Sequence, residues 1–101
     1  MAVVEVSIIP LGVPSTSLSA HVARVLKVLQ ESTLRYELTA MGTIISGDLE
    51  EILQVLRKMH ESCFSAEVTR VLTQIKIDDR RDKPASPEQK IRSVMTKLSE
   101  K

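Results

Sequence analysis

Alternating apolar and polar residues predict a strand at the start of the chain. In "AVVEVSII", Val4, Val6 and Ile8 would share one face of that strand. Pro10 and Gly12 end the pattern, and a loop rich in hydroxyl residues follows. Apolar residues then recur at helical spacing, which predicts an amphipathic helix. Its apolar positions are Leu18, Val22, Val25, Leu26 and Leu29.

The segment "RYELTAMGTIIS" predicts two short strands joined by a tight turn. Tyr36 and Leu38 would lie on one face of the first strand, and Glu37 and Thr39 on the other. The turn "AMG" contains Gly42, which can adopt a positive φ without steric cost. The pattern therefore indicates a β-hairpin.

A second helix is predicted to begin directly after this hairpin. Asp48 is a favourable N-cap, and Glu51 three residues later completes the capping-box pattern. We expect one stripe of this helix to be buried. The stripe consists of Leu49, Ile52, Leu53, Leu56, Met59, His60 and Cys63.

The remaining residues predict a last strand and a last helix. The strand would run from about Val68 to Ile77, and alternate residues would face the core. These core-facing positions are Val71, Thr73, Ile75 and Ile77. After a charged connection, Ser86 would cap a helix with Pro87 at its first position. The apolar stripe of that helix is Ile91, Val94, Met95 and Leu98.

The order of these elements predicts an α+β, ferredoxin-like βαββαβ two-layer sandwich with an extra C-terminal helix. At 101 residues, the chain would form one domain over 1–101. In such a sandwich the helices cover one face of the sheet, so the other face meets water, a subunit or a ligand. That face would be mixed: Val3, Glu5, Ser7, Ile9, Glu37, Thr39, Leu72, Gln74 and Lys76. The mixture is typical of an interface that also holds polar groups.

Composition narrows the classes of function. A net charge of +1, with one Tyr and one Phe, gives neither a basic surface nor a stacking platform for nucleic acid. No run approaches the roughly 20 apolar residues of a membrane-spanning helix. The N-terminal residues lack a signal-peptide pattern, and the single Cys63 cannot form an internal disulfide. These features lead us to expect a cytoplasmic protein.

Catalytic and metal-binding patterns are weak. His21 and His60 lie on different predicted helices, and His60 falls on an apolar stripe, where a packed histidine is the ordinary interpretation. Cys63 on the same stripe is expected to be a small buried hydrophobe. In "DDRRD" two arginines neutralise the neighbouring carboxylates, which favours ion pairs over a Mg²⁺ site. We therefore expect no enzyme activity, no metal and no cofactor.

Glu37 is the most informative charged residue. A carboxylate on a sheet face near Ile9 and Met41 suits a flat organic cation. Two other interpretations are a cross-strand ion pair with Lys76 and a solvated charge.

Three segments resemble a known family. "EVSIIPLG", "YELTAMGTIISGDLEE" and "IKIDDRRD" are similar in order and spacing to the MTH1187/YkoF-like family, also called the UPF0045 or thiamine-binding protein family. The resemblance implies a ferredoxin-like fold, dimers formed through the sheets, and dimers of dimers. It also implies binding of thiamine or its pyrimidine portion without catalysis, and a role of Asp78 and its neighbours in assembly. The ligand residues implied by position are Ser7, Tyr36, Glu37, Met41, Gly42 and Thr43.

Two positions depart from this family. Ala40 stands where proline is frequent, which loosens the hairpin connection. Ser46 stands where an acidic residue is frequent, which removes a carboxylate near the expected pocket. Two hypotheses result. The first is a non-enzymatic protein that binds thiamine or a related aminopyrimidine at sheet–sheet contacts of a homotetramer. The alternative is an oligomeric interaction or regulatory module with no small-molecule ligand.

Overall fold

The computed structural model describes residues 1–13, 18–82 and 87–99. Its four strands form one antiparallel sheet in the order β2-β3-β1-β4, as expected for the ferredoxin-like fold. The elements are β1 (Ala2–Pro10), α1 (Leu18–Gln30), β2 (Arg35–Thr39), β3 (Gly42–Gly47), α2 (Leu49–Ser62), β4 (Val71–Asp79) and α3 (Pro87–Ser99). The predicted fold class is confirmed. The predicted cap at Ser86 lies outside the described residues.

The strand register sorts the residues into two faces of the sheet. Val6 pairs with Thr43 on one side and Ile75 on the other, and this row lies under the helices. Glu5 pairs with Ile44 and Lys76, and this row lies on the opposite side, called the open face below. The predicted alternation of β1 is therefore confirmed.

The same register places the β2 residues. Tyr36 pairs with Ile45 on the side of the helices, whereas Glu37 pairs with Ile44 on the open face. The two side chains thus point to opposite sides of the sheet, as their alternation predicts.

The core lies between the two central strands and the helices α1 and α2. Burial of these aliphatic side chains is the main stabilising contribution, at about 1.5–3 kcal/mol for each large side chain. The buried residues are Ala2, Val4, Val6, Val25, Leu29, Ile45, Ile52, Leu56, Met59 and Cys63.

Two expectations about β4 are wrong. The strand runs two residues further than predicted, and Val68 is buried in the loop before it. Ile75 and Ile77 lie on the side of the helices but are 44% and 47% exposed, because β4 is an edge strand that the two helices do not cover fully.

Three helix positions also differ from the expectation. Leu53 and Val22 belong to the predicted stripes yet are 45% and 42% exposed. His21, by contrast, is 7% exposed and packs with the buried face of α1. Periodicity gives the direction of a stripe, but its width depends on how each helix crosses its neighbours.

Local hydrogen bonds fix the hairpin and the start of α2. The Thr39 hydroxyl donates to the Gly42 carbonyl oxygen at 2.8 Å and accepts from the Met41 amide at 3.2 Å. The Asp48 carboxylate accepts from the Glu51 amide at 3.2 Å, which confirms the predicted N-cap.

Gly42 is required where the hairpin approaches β1. Its φ is +155°, a conformation that other residues rarely adopt. A Cβ at this position would lie 2.9 Å from the Val6 carbonyl oxygen. Backbone strain and crowding therefore both oppose any side chain here.

We predict that Gly42→Ala lowers the free energy of unfolding by about 1–3 kcal/mol. Urea denaturation followed by circular dichroism measures this change. Gly12→Ala is the matched control, since Gly12 has φ +76° but no atom within 4 Å of an added Cβ. Its loss should be smaller, and equal losses would show that contact with Val6 contributes nothing.

Candidate functional site

A cleft lies at the margin of the sheet, where β3 is shorter than β1. Strand β1 pairs with β4 from Ala2 to Pro10 but with β3 only from Ala2 to Val6. Beyond Val6 the hairpin turns back through Ala40 and Met41. The last residues of β1 therefore have a strand on one side only. Helix α1 closes the gap above them and leaves a cavity of about 280 Å³.

The walls of this cleft are almost entirely uncharged and apolar. Val22, Val25 and Leu26 of α1 form one wall, and β1 and the hairpin form the rest. None of its described lining residues is Asp, Glu, Lys, Arg or His. Its volume lies just below the range of about 300–1,000 Å³ for small-molecule sites. The cleft suits one small, flat and neutral ring system.

Thr43 provides the free polar side chain in the cleft. It is only 7% exposed, and its hydroxyl makes no hydrogen bond to any described residue. Thr39 also borders the cleft, but its hydroxyl is used within the turn. The Thr43 hydroxyl is therefore available to a ligand, and a ligand that filled the cleft without pairing with it would incur its desolvation cost.

The structure brings four of the six predicted ligand residues to the cleft. They are Ser7, Met41, Gly42 and Thr43. The alternation of β1 directs the Ser7 side chain to the open face, so Ser7 borders the cleft through its main chain. Met41 is 83% exposed at the hairpin tip.

Tyr36 and Glu37 do not line the cleft. Both belong to the edge strand β2, and both are exposed, on opposite sides of the sheet. Any contact between Glu37 and a ligand would take place on the open face. Their roles as ligand residues stay predictions.

One further expectation is corrected. Glu37 cannot pair with Lys76 across neighbouring strands, because β2 and β4 are opposite edges of the sheet. Lys76 instead lies 3.9 Å from Glu5. Ser46 is buried in the open-face row beside that of Glu37 and does not line the cleft, and its effect on a ligand stays a prediction.

His60 and Cys63 are packing residues. His60 Nδ1 lies 2.7 Å from the Thr73 hydroxyl, and the ring meets Phe64 edge to face at 5.3 Å. Cys63 is 1% exposed, and burial raises the pKa of its thiol, although Arg24 opposes this effect. Both interpretations from the sequence are confirmed. His21, whose buried Nδ1 has no partner among the described residues, was not foreseen.

The acidic and basic residues after β4 form ion pairs, as predicted. Arg80 binds Asp82 at 2.7 Å, and Arg81 binds Asp79 at 2.9 Å. The hydrogen bond in each pair raises the pKa of the arginine. Within residues 1–13, 18–82 and 87–99, no three His, Cys, Asp or Glu residues are grouped so that they could hold a metal ion.

Two more ion pairs anchor α3 to the open face. Glu88 binds Arg35 on β2, and Lys90 binds Asp78 on β4. Arg35 and Asp78 stand in one cross-strand row with Val3. The apolar stripe of α3 is nevertheless left uncovered by the described part of the chain, since its four residues are 57–74% exposed: Ile91, Val94, Met95 and Leu98. None of the described helices is long and apolar enough to cross a membrane.

These features define a class: a ferredoxin-like α+β protein with a small, neutral cleft beside its hairpin. The chain belongs to the thiamine-binding protein family, whose model matches residues 4–95. It is 45% identical over 98 residues to UPF0045 protein YqgV of Bacillus subtilis, covering 93% of this chain and 94% of that protein. A UPF0045 protein of Methanothermobacter thermautotrophicus is 40% identical over 99 residues, covering 97% and 100%.

Solved structures share the fold. The MJ1052 protein of Methanocaldococcus jannaschii superposes with a TM-score of 0.84 at 39% identity, over 93% of this chain and 95% of that one. A Thermotoga maritima protein, provisionally assigned to thiamine biosynthesis or salvage, has a TM-score of 0.77 at 19% identity, over 92% and 97%. The second likeness concerns the fold alone.

We predict that the Cys63 thiol reacts slowly in the folded protein. Burial disfavours the thiolate, which is the reactive form, so alkylation by iodoacetamide at pH 8 should be at least about tenfold slower than in urea. Mass spectrometry of timed samples measures the rate. Equal rates in the two states would contradict a buried structural thiol.

Proposed function

We propose that this protein binds thiamine or a related aminopyrimidine and performs no catalysis. The observation that carries the proposal is the neutral cleft with the unpaired Thr43 hydroxyl, where four predicted ligand residues meet. Membership of the thiamine-binding protein family supports this class of ligand. We propose no resident cofactor, because thiamine would be the bound ligand itself.

The cleft offers complementary contacts to an aminopyrimidine ring. Thr43 would hydrogen-bond to the ring or to its exocyclic amine, since its hydroxyl both donates and accepts. Met41 at the hairpin tip would pack on the ring face, as its flexible thioether adapts to aromatic surfaces. Gly42 holds the hairpin close enough to β1 to shape the cleft.

Glu37 and Tyr36 would act outside the cleft. We propose that Glu37 offsets the positive charge of thiamine from the open face, where a second subunit packs. Tyr36, on the other side of β2, would pack against a ring only at the sheet edge. The titration below tests the contribution of Glu37.

Self-association is the second part of the proposal. The uncovered stripe of α3 and the mixed open face support a homodimer and a dimer of dimers. We further propose a cytoplasmic location and no nucleic-acid or membrane partner.

The exposed stripe of α3 also favours one alternative. An oligomeric interaction or regulatory module would use the same stripe and the open face and would bind no small molecule. It predicts the same assembly but no ligand in the cleft.

Calorimetric titration with thiamine tests the first proposal. We expect saturable binding by the wild type and at least about tenfold weaker binding by Thr43→Val, which removes the hydroxyl but keeps the shape. Glu50→Gln on the exposed surface of α2 is a control and should bind normally, since Glu50 does not line the cleft. Weaker binding by Glu37→Gln would show that Glu37 also contributes to thiamine binding from the open face. No heat and no thermal shift with wild type would refute thiamine binding.

Light scattering of the wild type and of Val94→Glu with Leu98→Glu tests self-association. Two charges on the α3 stripe would be buried without partners in an interface, so the variant should have a lower mass than the wild type. Ser93→Glu, on an exposed position of the same helix, should not change the mass. A monomeric wild type would contradict the proposed assembly.

A further inference from the structure

The hydrogen-bonding direction of β1 can be followed residue by residue. In an antiparallel pair, a residue directs both its N–H and its C=O to the same neighbouring strand, and successive residues alternate between neighbours. The Leu11 amide donates to the Arg70 carbonyl oxygen at 2.9 Å, in register with the β1–β4 ladder. Odd-numbered residues of β1, including Ser7 and Ile9, therefore bond to β4.

The N–H and C=O groups of the even-numbered residues of β1 consequently point toward β3. Val6 is matched by Thr43, the last pair of that ladder. Ile8 is the next residue with this direction, and β3 no longer lies beside it. Its N–H and C=O have no backbone partner on that side among the described residues. Both groups of Ile8 therefore face the cleft that Ile8 borders.

The cleft thus contains one main-chain donor and one main-chain acceptor side by side, the N–H and the C=O of Ile8. On the same side of the sheet, the Thr43 hydroxyl adds a third polar group that has no partner in the described chain. The other walls are apolar, and no charged side chain lines the cleft. Polar groups in such surroundings discriminate strongly, because a ligand that leaves them unpaired incurs their desolvation cost.

We infer that the main chain of Ile8, together with Thr43, reads the edge of a neutral, flat heterocycle that carries a hydrogen-bond donor next to an acceptor. The ligand would bind like a short strand added beside β1, with its amine donating to the Ile8 carbonyl oxygen and a ring nitrogen accepting from the Ile8 amide. This inference rests on the proposed function for the choice of an aminopyrimidine. It adds that recognition depends on the sheet edge and requires no carboxylate.

Hydrogen exchange of single amides tests this arrangement directly. In ¹⁵N-labelled wild-type protein, the Ile8 amide should exchange quickly, whereas the Ser7 and Ile9 amides are protected by β4. Saturation with 4-amino-2-methylpyrimidine should slow exchange at Ile8 at least tenfold and leave its two neighbours unchanged. The 4-dimethylamino analogue lacks the donor and should bind at least tenfold more weakly.

A pair of variants supplies a second measurement. Ile8→Pro removes the amide N–H that faces the cleft, and Pro10 already occupies the same orientation in β1. It should weaken binding of 4-amino-2-methylpyrimidine at least tenfold, whereas Ile8→Val, which keeps the amide, should stay within about threefold of wild type. If the proline variant does not fold, amide hydrogen exchange at Ile8 in the wild type tests the inference on its own.

The outcomes separate this inference from the proposed function. Binding of the aminopyrimidine without slower exchange at Ile8 would overturn the inference and leave the proposed function in place. Equal affinity for the dimethylamino analogue would overturn it as well. If neither thiamine nor the aminopyrimidine binds, both proposals fall.

Discussion

The candidate site depends on the close approach of the hairpin to β1 at Gly42. A Cβ at Gly42 would lie 2.9 Å from the Val6 carbonyl oxygen, so the turn strongly favours glycine here. Because β3 begins at this residue, the end of β1 has no neighbouring strand on this side. The gap forms the cleft, leaves the Ile8 main chain without a backbone partner among the described residues and leaves Thr43 at the cleft wall.

A second constraint is the coverage of the sheet. Helices α1 and α2 cover the two central strands, which leaves the edge strand β4 and much of the open face exposed. Ion pairs from Glu88 to Arg35 and from Lys90 to Asp78 hold α3 over that face, yet its apolar stripe stays uncovered. Exposed ion pairs contribute little stability, so they orient α3 more than they fix it. This surface is the one that the proposed assembly would bury.

Much of the fold could be predicted from local patterns. The alternation in β1 and β2, the glycine in the hairpin and the cap at Asp48 each depend on interactions within a few residues, and all three are confirmed. Burial was predicted less well. Ile77 and Leu53 are exposed and His21 is buried, because burial depends on which element lies above each position.

The sequence by itself determined the elements, their order, the two faces of the sheet and the family. Hydrophobic periodicity and capping are short-range effects, so they can be read from the chain. Only the tertiary structure decided where a ligand could bind. The cleft arises from the unequal lengths of β1 and β3 and from the path of α1 above them. Glu37, the most suggestive residue in the sequence, lies on the open face, while the unpaired main chain of Ile8 has no signature in the amino-acid sequence.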